Sequence, residues 1–151
     1  MLIRRAAADD AAVVAEISTT SRHAAMPTIR WAHTAEEDRW WVANILLPKD
    51  EVWVAEEAGG VRGFLALHRD EDGDWVSQLY LAPRYWRQGI GTGLLGHAKA
   101  LRPGGLRLWC FQVNARGRAF YERHGFTVAR MGDGSLNEER EPDILYVWVP
   151  G

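Results

Sequence analysis

At 151 residues and 47% hydrophobic content, the chain is long enough to bury one proper core, and nothing in it marks a boundary, so a single domain over residues 1–151 is expected. A net charge of −2 argues against nucleic acid as the main partner, and the lone Cys110 excludes a disulfide framework and suits a reducing compartment. No apolar run reaches the length that spans a bilayer, and residues 1–5 lack a signal-peptide core, so a soluble, cytoplasmic protein is the expectation.

Residues 1–6 read as a first strand. Asp9 or Asp10 can then cap a helix whose apolar positions Val13, Val14 and Ile17 follow helical spacing, ending near Ser21. A loop over 23–33 leads to Thr34-Ala35-Glu36-Glu37, a capping-box signature for a second helix with Trp40, Trp41, Ile45 and Leu47 as apolar surface and Pro48 as its stop. Residues 51–58 and 61–68 form two strands joined at Gly59-Gly60, and Asp72-Gly73 turns the chain into a third, 75–81. After a glycine-rich helix, Gly104-Gly105 leads to 106–113, apolar enough for a strand buried on both faces, with Cys110 as a packing residue. A helix over 114–124 ends at Gly125 as a left-handed cap, and strands at 126–130 and 144–149 complete a mixed α/β sheet.

The stretch from Leu79-Tyr80-Leu81 through Pro83 to Arg87-Gln88-Gly89-Ile90-Gly91-Thr92-Gly93 carries the most chemistry. A helix that starts on glycines leaves several N–H groups unpaired and aimed outward, with the positive end of the helix dipole behind them, so it can hold a pyrophosphate. A dinucleotide-binding reading of Gly91-Thr92-Gly93-Leu94-Leu95-Gly96 fails, because Pro83 to Arg87 separate strand from glycines and Cys110-Phe111-Gln112-Val113 stand where an acidic residue should meet a ribose. A phosphate-binding P-loop fails because His97-Ala98, not Lys and Ser or Thr, follow Gly96. Between Arg84 and Arg130 lie nine Lys and Arg against one acidic residue, Glu122, as an anionic cofactor would favour.

Gln88, Gly91 and Gly93 fill the fixed positions of the acetyl-CoA-binding motif of the GCN5-related N-acetyltransferases, and a second block of that family follows as Asn114-Ala115-Arg116-Gly117-Arg118-Ala119-Phe120-Tyr121-Glu122-Arg123-His124-Gly125-Phe126. The chain thus resembles this family over nearly its whole length. The resemblance implies a mixed central sheet of order βααβββαβαβ, splayed between the fourth and fifth strands. It also implies an acetyltransferase that takes acetyl-CoA, without a metal, and passes the acetyl group directly to a primary amine on a small molecule or a protein. The pyrophosphate would lie on residues 87–93, and the pantetheine arm on Asn114 and on the backbone of Leu79, Tyr80 and Leu81. A binding module that keeps the cofactor site without turnover is the alternative. Oligomeric state is not legible, although dimers are common in the family.

Acetyl transfer from a thioester needs an oxyanion stabilised, a thiolate expelled and a neutral amine. Within the resemblance, an N–H at the splay would polarise the carbonyl and Tyr121 would protonate the thiolate. A base on the central strand is missing, since Trp75-Val76-Ser77-Gln78 contains no Glu. Glu138 and Glu139, in the acidic run before the last strand, are expected to meet or relay a proton from a cationic acceptor, with His23, His33 and His68 as other bases. Trp31, Trp40 and Trp41 fall in the helix pair that lines the acceptor pocket in that family, and His124 should sit on the surface at a helix end.

Overall fold

The computed structural model describes residues 1–151. The strands are β1 (Leu2–Arg5), β2 (Glu51–Glu57), β3 (Gly60–Asp70), β4 (Gly73–Leu81), β5 (Leu106–Phe111), β6 (Thr127–Gly132) and β7 (Asp143–Trp148). They form one sheet in the order β1-β2-β3-β4-β5-β7-β6, antiparallel except between β4 and β5. The helices are α1 (Ala11–Ala25), α2 (Ala35–Trp41), α3 (Leu47–Lys49), α4 (Ile90–Leu101) and α5 (Ala115–Arg123). The anticipated order is present, with the two final strands following one another. No helix is long and apolar enough to cross a membrane.

Several boundaries move for local reasons. The first helix runs past Ser21 to Ala25, because the residue before Pro27 is its stop: Met26 is pushed to φ −137°, out of the helical region. Asp10 does not cap it through its side chain but accepts from Ala7 N–H and pairs with Arg4 at 2.9 Å. Thr34 does form the capping box with Glu37. Pro48 fails to stop its helix, which carries on to Lys49; a π-helical turn at Val42–Leu46 lies over the carbonyls with which the proline ring would clash. The hairpin loop is Ala58-Gly59, both at positive φ as a two-residue primed turn requires, while Gly60 already pairs with Glu57. Glu71-Asp72, one residue before the expected pair, is the loop between β3 and β4, closed by Asp70 opposite Gly73.

One layer of core lies between the sheet and α4, where Leu65, Leu67, Leu94, Leu95, Leu106, Leu108 and Tyr146 are fully buried. A smaller layer under α1 and the second helix contains Val14, Ile17, Val52, Val54 and Phe64. These helices stop short of β5, so that strand is buried on one face only: Leu106, Leu108 and Cys110 point in, while Trp109 on the other face is 44% exposed and stacks on Trp75. Leu95→Ala, which empties a fully buried site on α4, is expected to cost about 2–5 kcal/mol, read as a lower denaturation midpoint at unchanged m-value.

Candidate active site

The strands β4 and β5 share a single registered pair, Trp75 with Arg107, and then diverge. A bulge at Ser77 bends β4 just beyond that point, since Val76 pairs with Leu67 and Gln78 with Ala66, leaving Ser77 without a partner residue. The divergence opens a cleft of about 1050 Å³ that passes between α4 and α5, through the splay, to the end of α1 at Ser21 and Met26.

Backbone direction along the splay follows from two bonds. Ala82 N–H donates to Arg62 O, and Leu81 O accepts from the Trp86 indole at 3.1 Å. Because hydrogen-bonding direction alternates along an antiparallel pair, Tyr80 bonds to β3 whereas Leu79 and Leu81 turn their main-chain groups to the gap. The three residues anticipated as a backbone platform therefore divide: Leu79 and Leu81 offer backbone, and Tyr80 offers its side chain.

At the start of α4, the N–H groups of six consecutive residues, Arg87 to Thr92, have no partner within the protein, and Gly93 N–H is the first to bond, to Gly89 O. Arg87 and Gly89 hold φ +65° and +82°, and such left-handed residues curve successive amides around an anion. Arg87, Gly89, Gly91 and Thr92 line the cleft, while Gln88 reaches back to Arg84 O and Ile90 is buried in the core. Gly91 serves packing rather than open space: a Cβ there would lie 3.3 Å from the Phe120 ring and 3.4 Å from Leu81, so the missing side chain lets α5 and β4 close on the helix. Gly93 likewise lies under Met1.

The second block contributes α5. Asn114 caps it, its Oδ1 accepting from Gly117 N–H at 2.9 Å, which leaves its amide N–H groups free toward the cleft. Tyr121 lines the cleft, in edge contact with Phe120 and Phe126, and its hydroxyl makes no hydrogen bond to the protein. Burial pushes this phenol well above its ordinary pKa, so it is protonated throughout the neutral range. Burial also pushes the neighbouring Cys110 thiol up to about 12, which leaves it no thiolate with which to attack. His124 caps the C-terminal end of α5 half-buried, with Nε2 3.2 Å from Thr92 Oγ1.

Arg87, Arg116, Arg123 and Arg130 line the cleft, and none has an ion-pair partner. Arg116 stacks 3.9 Å over Trp86, and burial together with the Arg87 charge lowers its pKa. Glu138 and Glu139 do not reach the cleft. Glu138 meets His33 Nε2 at 2.5 Å and Glu139 accepts from Ala32 N–H, tying the 133–142 connection to the loop before α2. The carboxylates in the cleft are Asp133 and Asp143. Asp143 accepts from Asn137 at 3.1 Å and abuts Gly132, where any Cβ would collide with it. Asp143 was legible only as the end of the acidic run, and Trp86 and Arg116 only as neighbours of the motifs. His23, His33 and His68 are absent from the cleft wall, as are Trp31, Trp40 and Trp41, the last two 61% and 40% exposed.

A family model described as an acetyltransferase (GNAT) domain matches residues 48–128. The peptidyl-lysine N-acetyltransferase YiaC of Escherichia coli (strain K12) is 29% identical over 104 residues, which is 65% of this chain and 68% of YiaC. Among solved structures, PaiA N-acetyltransferase of Thermoplasma acidophilum, determined in complex with coenzyme A, superposes with a TM-score of 0.76 at 20% identity over 98% of each chain. The ribosomal-protein-S18-alanine N-acetyltransferase of Escherichia coli gives 0.75 at 20% identity, covering 98% of this chain and 92% of its own. With a cradle of free amides, a splayed sheet and a matching family model over more than half its length, the chain belongs to the GCN5-related N-acetyltransferases, the acetyl-CoA-dependent N-acetyltransferases.

Proposed function

We infer that this chain binds acetyl-CoA along the cleft and transfers its acetyl group directly to a primary amine, with Tyr121 as general acid. The observation that carries this reading is the Tyr121 hydroxyl: protonated, without a partner in the protein, and set in the cleft that the six free amides also border. The pyrophosphate is placed on the amides of residues 87–92 beside Arg87 and Arg116, and the pantetheine arm on Leu79 and Leu81 backbone and the Asn114 amide. The amine lone pair adds to the thioester carbonyl, whose oxyanion is met by an N–H at the splay. The C–S bond then breaks, sulfur takes the electron pair and the Tyr121 proton, and the proton lost by nitrogen passes to solvent, from which Tyr121 is reprotonated. The raised pKa of Cys110 supports direct transfer over an acetyl-cysteine intermediate.

The acceptor is a primary amine, and the likeness to a peptidyl-lysine acetyltransferase favours one carried by a protein. Asp143 and Asp133 take the part foreseen for Glu138 and Glu139, as the carboxylates that attract a cationic amine into the cleft. Asp143→Asn is expected to raise KM for the amine about tenfold, the loss of one charge-assisted hydrogen bond, with acetyl-CoA affinity unchanged; steady-state kinetics at varied amine read it.

Thiol release from acetyl-CoA, measured across a lysine peptide, an alanine-terminated peptide and spermidine, tests the reading. Amine-dependent release supports it. Tight cofactor binding with no release beyond hydrolysis for any amine would make the chain a binding module instead.

A further inference from the structure

The cleft crosses the sheet. On one side lie α4 and α5 with the amide cradle and Tyr121; on the other it reaches Ser21, Ala25 and Met26 at the end of α1. A cofactor held on the α4 and α5 side leaves the α1 side as the approach for the amine.

Tyr80 stands at this crossing. Its backbone is bonded to β3, so the residue is anchored, and its side chain packs on the α1 side with its ring 6.0 Å from Phe64. The side chain lines the cleft, yet its hydroxyl makes no hydrogen bond within the protein. Burial holds the phenol above its ordinary pKa, with the Arg22 charge opposing and Cys110 and Glu139 adding to the rise, so at neutral pH it is an intact hydroxyl with lone pairs to offer. Its chain neighbours Leu79 and Leu81 point their backbone into the gap where the thioester is placed. The hydroxyl is therefore close to that gap but on the opposite side of the sheet from Tyr121.

We propose that the Tyr80 hydroxyl is the acceptor-orienting group, taking a hydrogen bond from an N–H of the neutral amine and so aiming the nitrogen lone pair at the acyl carbon. This rests on the transfer reading above and assigns the two phenols to opposite ends of the reaction. Tyr80 forms no covalent bond and moves no proton; it sets the angle of attack, and Tyr121 serves the leaving sulfur.

Tyr80→Phe keeps the ring against Phe64 and removes only the hydroxyl. With whichever of the lysine peptide, the alanine-terminated peptide and spermidine the wild type uses best, kcat/KM for the amine is expected to fall about tenfold. The acetyl-CoA dissociation constant by calorimetry and the slow amine-independent hydrolysis of acetyl-CoA should both match wild type. A purely structural tyrosine would lower thermal stability and leave kcat/KM intact. An amine kcat/KM within about twofold of wild type, less than one hydrogen bond supplies, overturns the proposal, as does a parallel loss of acetyl-CoA affinity, which would put the hydroxyl on the cofactor. A wild-type protein that acetylates none of the three amines would instead overturn the transfer reading itself, and this assignment with it.

Discussion

Tyr121→Phe is expected to lower the single-turnover rate of acetyl transfer by about 10²- to 10⁴-fold, the range for losing a general acid, while acetyl-CoA binds as before. The ring makes edge contacts with Phe120 and Phe126 that phenylalanine would keep, and the deleted hydroxyl has no partner in the protein, so the fold should lose little. Single turnover at saturating amine is the measurement to make, because slow product release would mask a change in the chemical step. Since burial raises the phenol's pKa, wild-type activity should not decline through deprotonation of Tyr121 as pH rises from neutral toward 10, the ordinary tyrosine value. A folded variant within about threefold of wild type, far short of the loss expected for a general acid, would remove Tyr121 from the mechanism.

The double change Arg87→Gln with Arg116→Gln tests the cradle through two effects of opposite sign. Both guanidiniums line the cleft without an ion-pair partner, and the charge of one lowers the pKa of the other, so the unliganded protein holds them against mutual repulsion. Hydrogen bonds to charged groups contribute about 1.5–3 kcal/mol each, so losing two should weaken acetyl-CoA binding by at least about a hundredfold. The salt dependence of binding should flatten as well. Thermal stability of the unliganded variant should stay near wild type, because relief of repulsion offsets the lost stacking of Arg116 on Trp86. Unchanged affinity at low and high salt would remove both arginines from the phosphate site.

Local rules carried much of the fold. The Thr34 capping box, the left-handed Gly125 and the tight hairpin joining β2 to β3 are short-range devices, and all of them formed. Pro27 is as legible a stop for α1 as any residue near Ser21, and Met26, the residue before it, is where the helix ends. The misplaced hairpin loop was a register matter: with Gly59-Gly60 both able to turn, only pairing of Glu57 with Gly60 selects Ala58-Gly59. Pro48 carries a breaker's signal, yet behind the π turn over Val42–Leu46 the helix runs one residue past it, to Lys49.

The two glycine- and asparagine-bearing blocks, their order, and the cationic span between Arg84 and Arg130 were determined by the sequence alone, because an anion cradle is a local property of a strand, a loop and a helix start. Side-chain direction at the cleft was not. Whether Tyr80 offers backbone or hydroxyl depends on which neighbour β4 bonds to, and whether Gly91 faces phosphate or Phe120 depends on how α5 meets α4. Glu138, Glu139 and Asp143 lie in one acidic run with nothing local to rank them. The tertiary structure separated them by pairing the first two with the loop before α2 and by seating Asp143 at the start of β7, opposite Gly132, where its carboxylate borders the cleft. Charge is a property of the residue, but what a charge faces is decided by contacts between segments distant along the chain, in this case more than a hundred residues apart for His33 and Glu138.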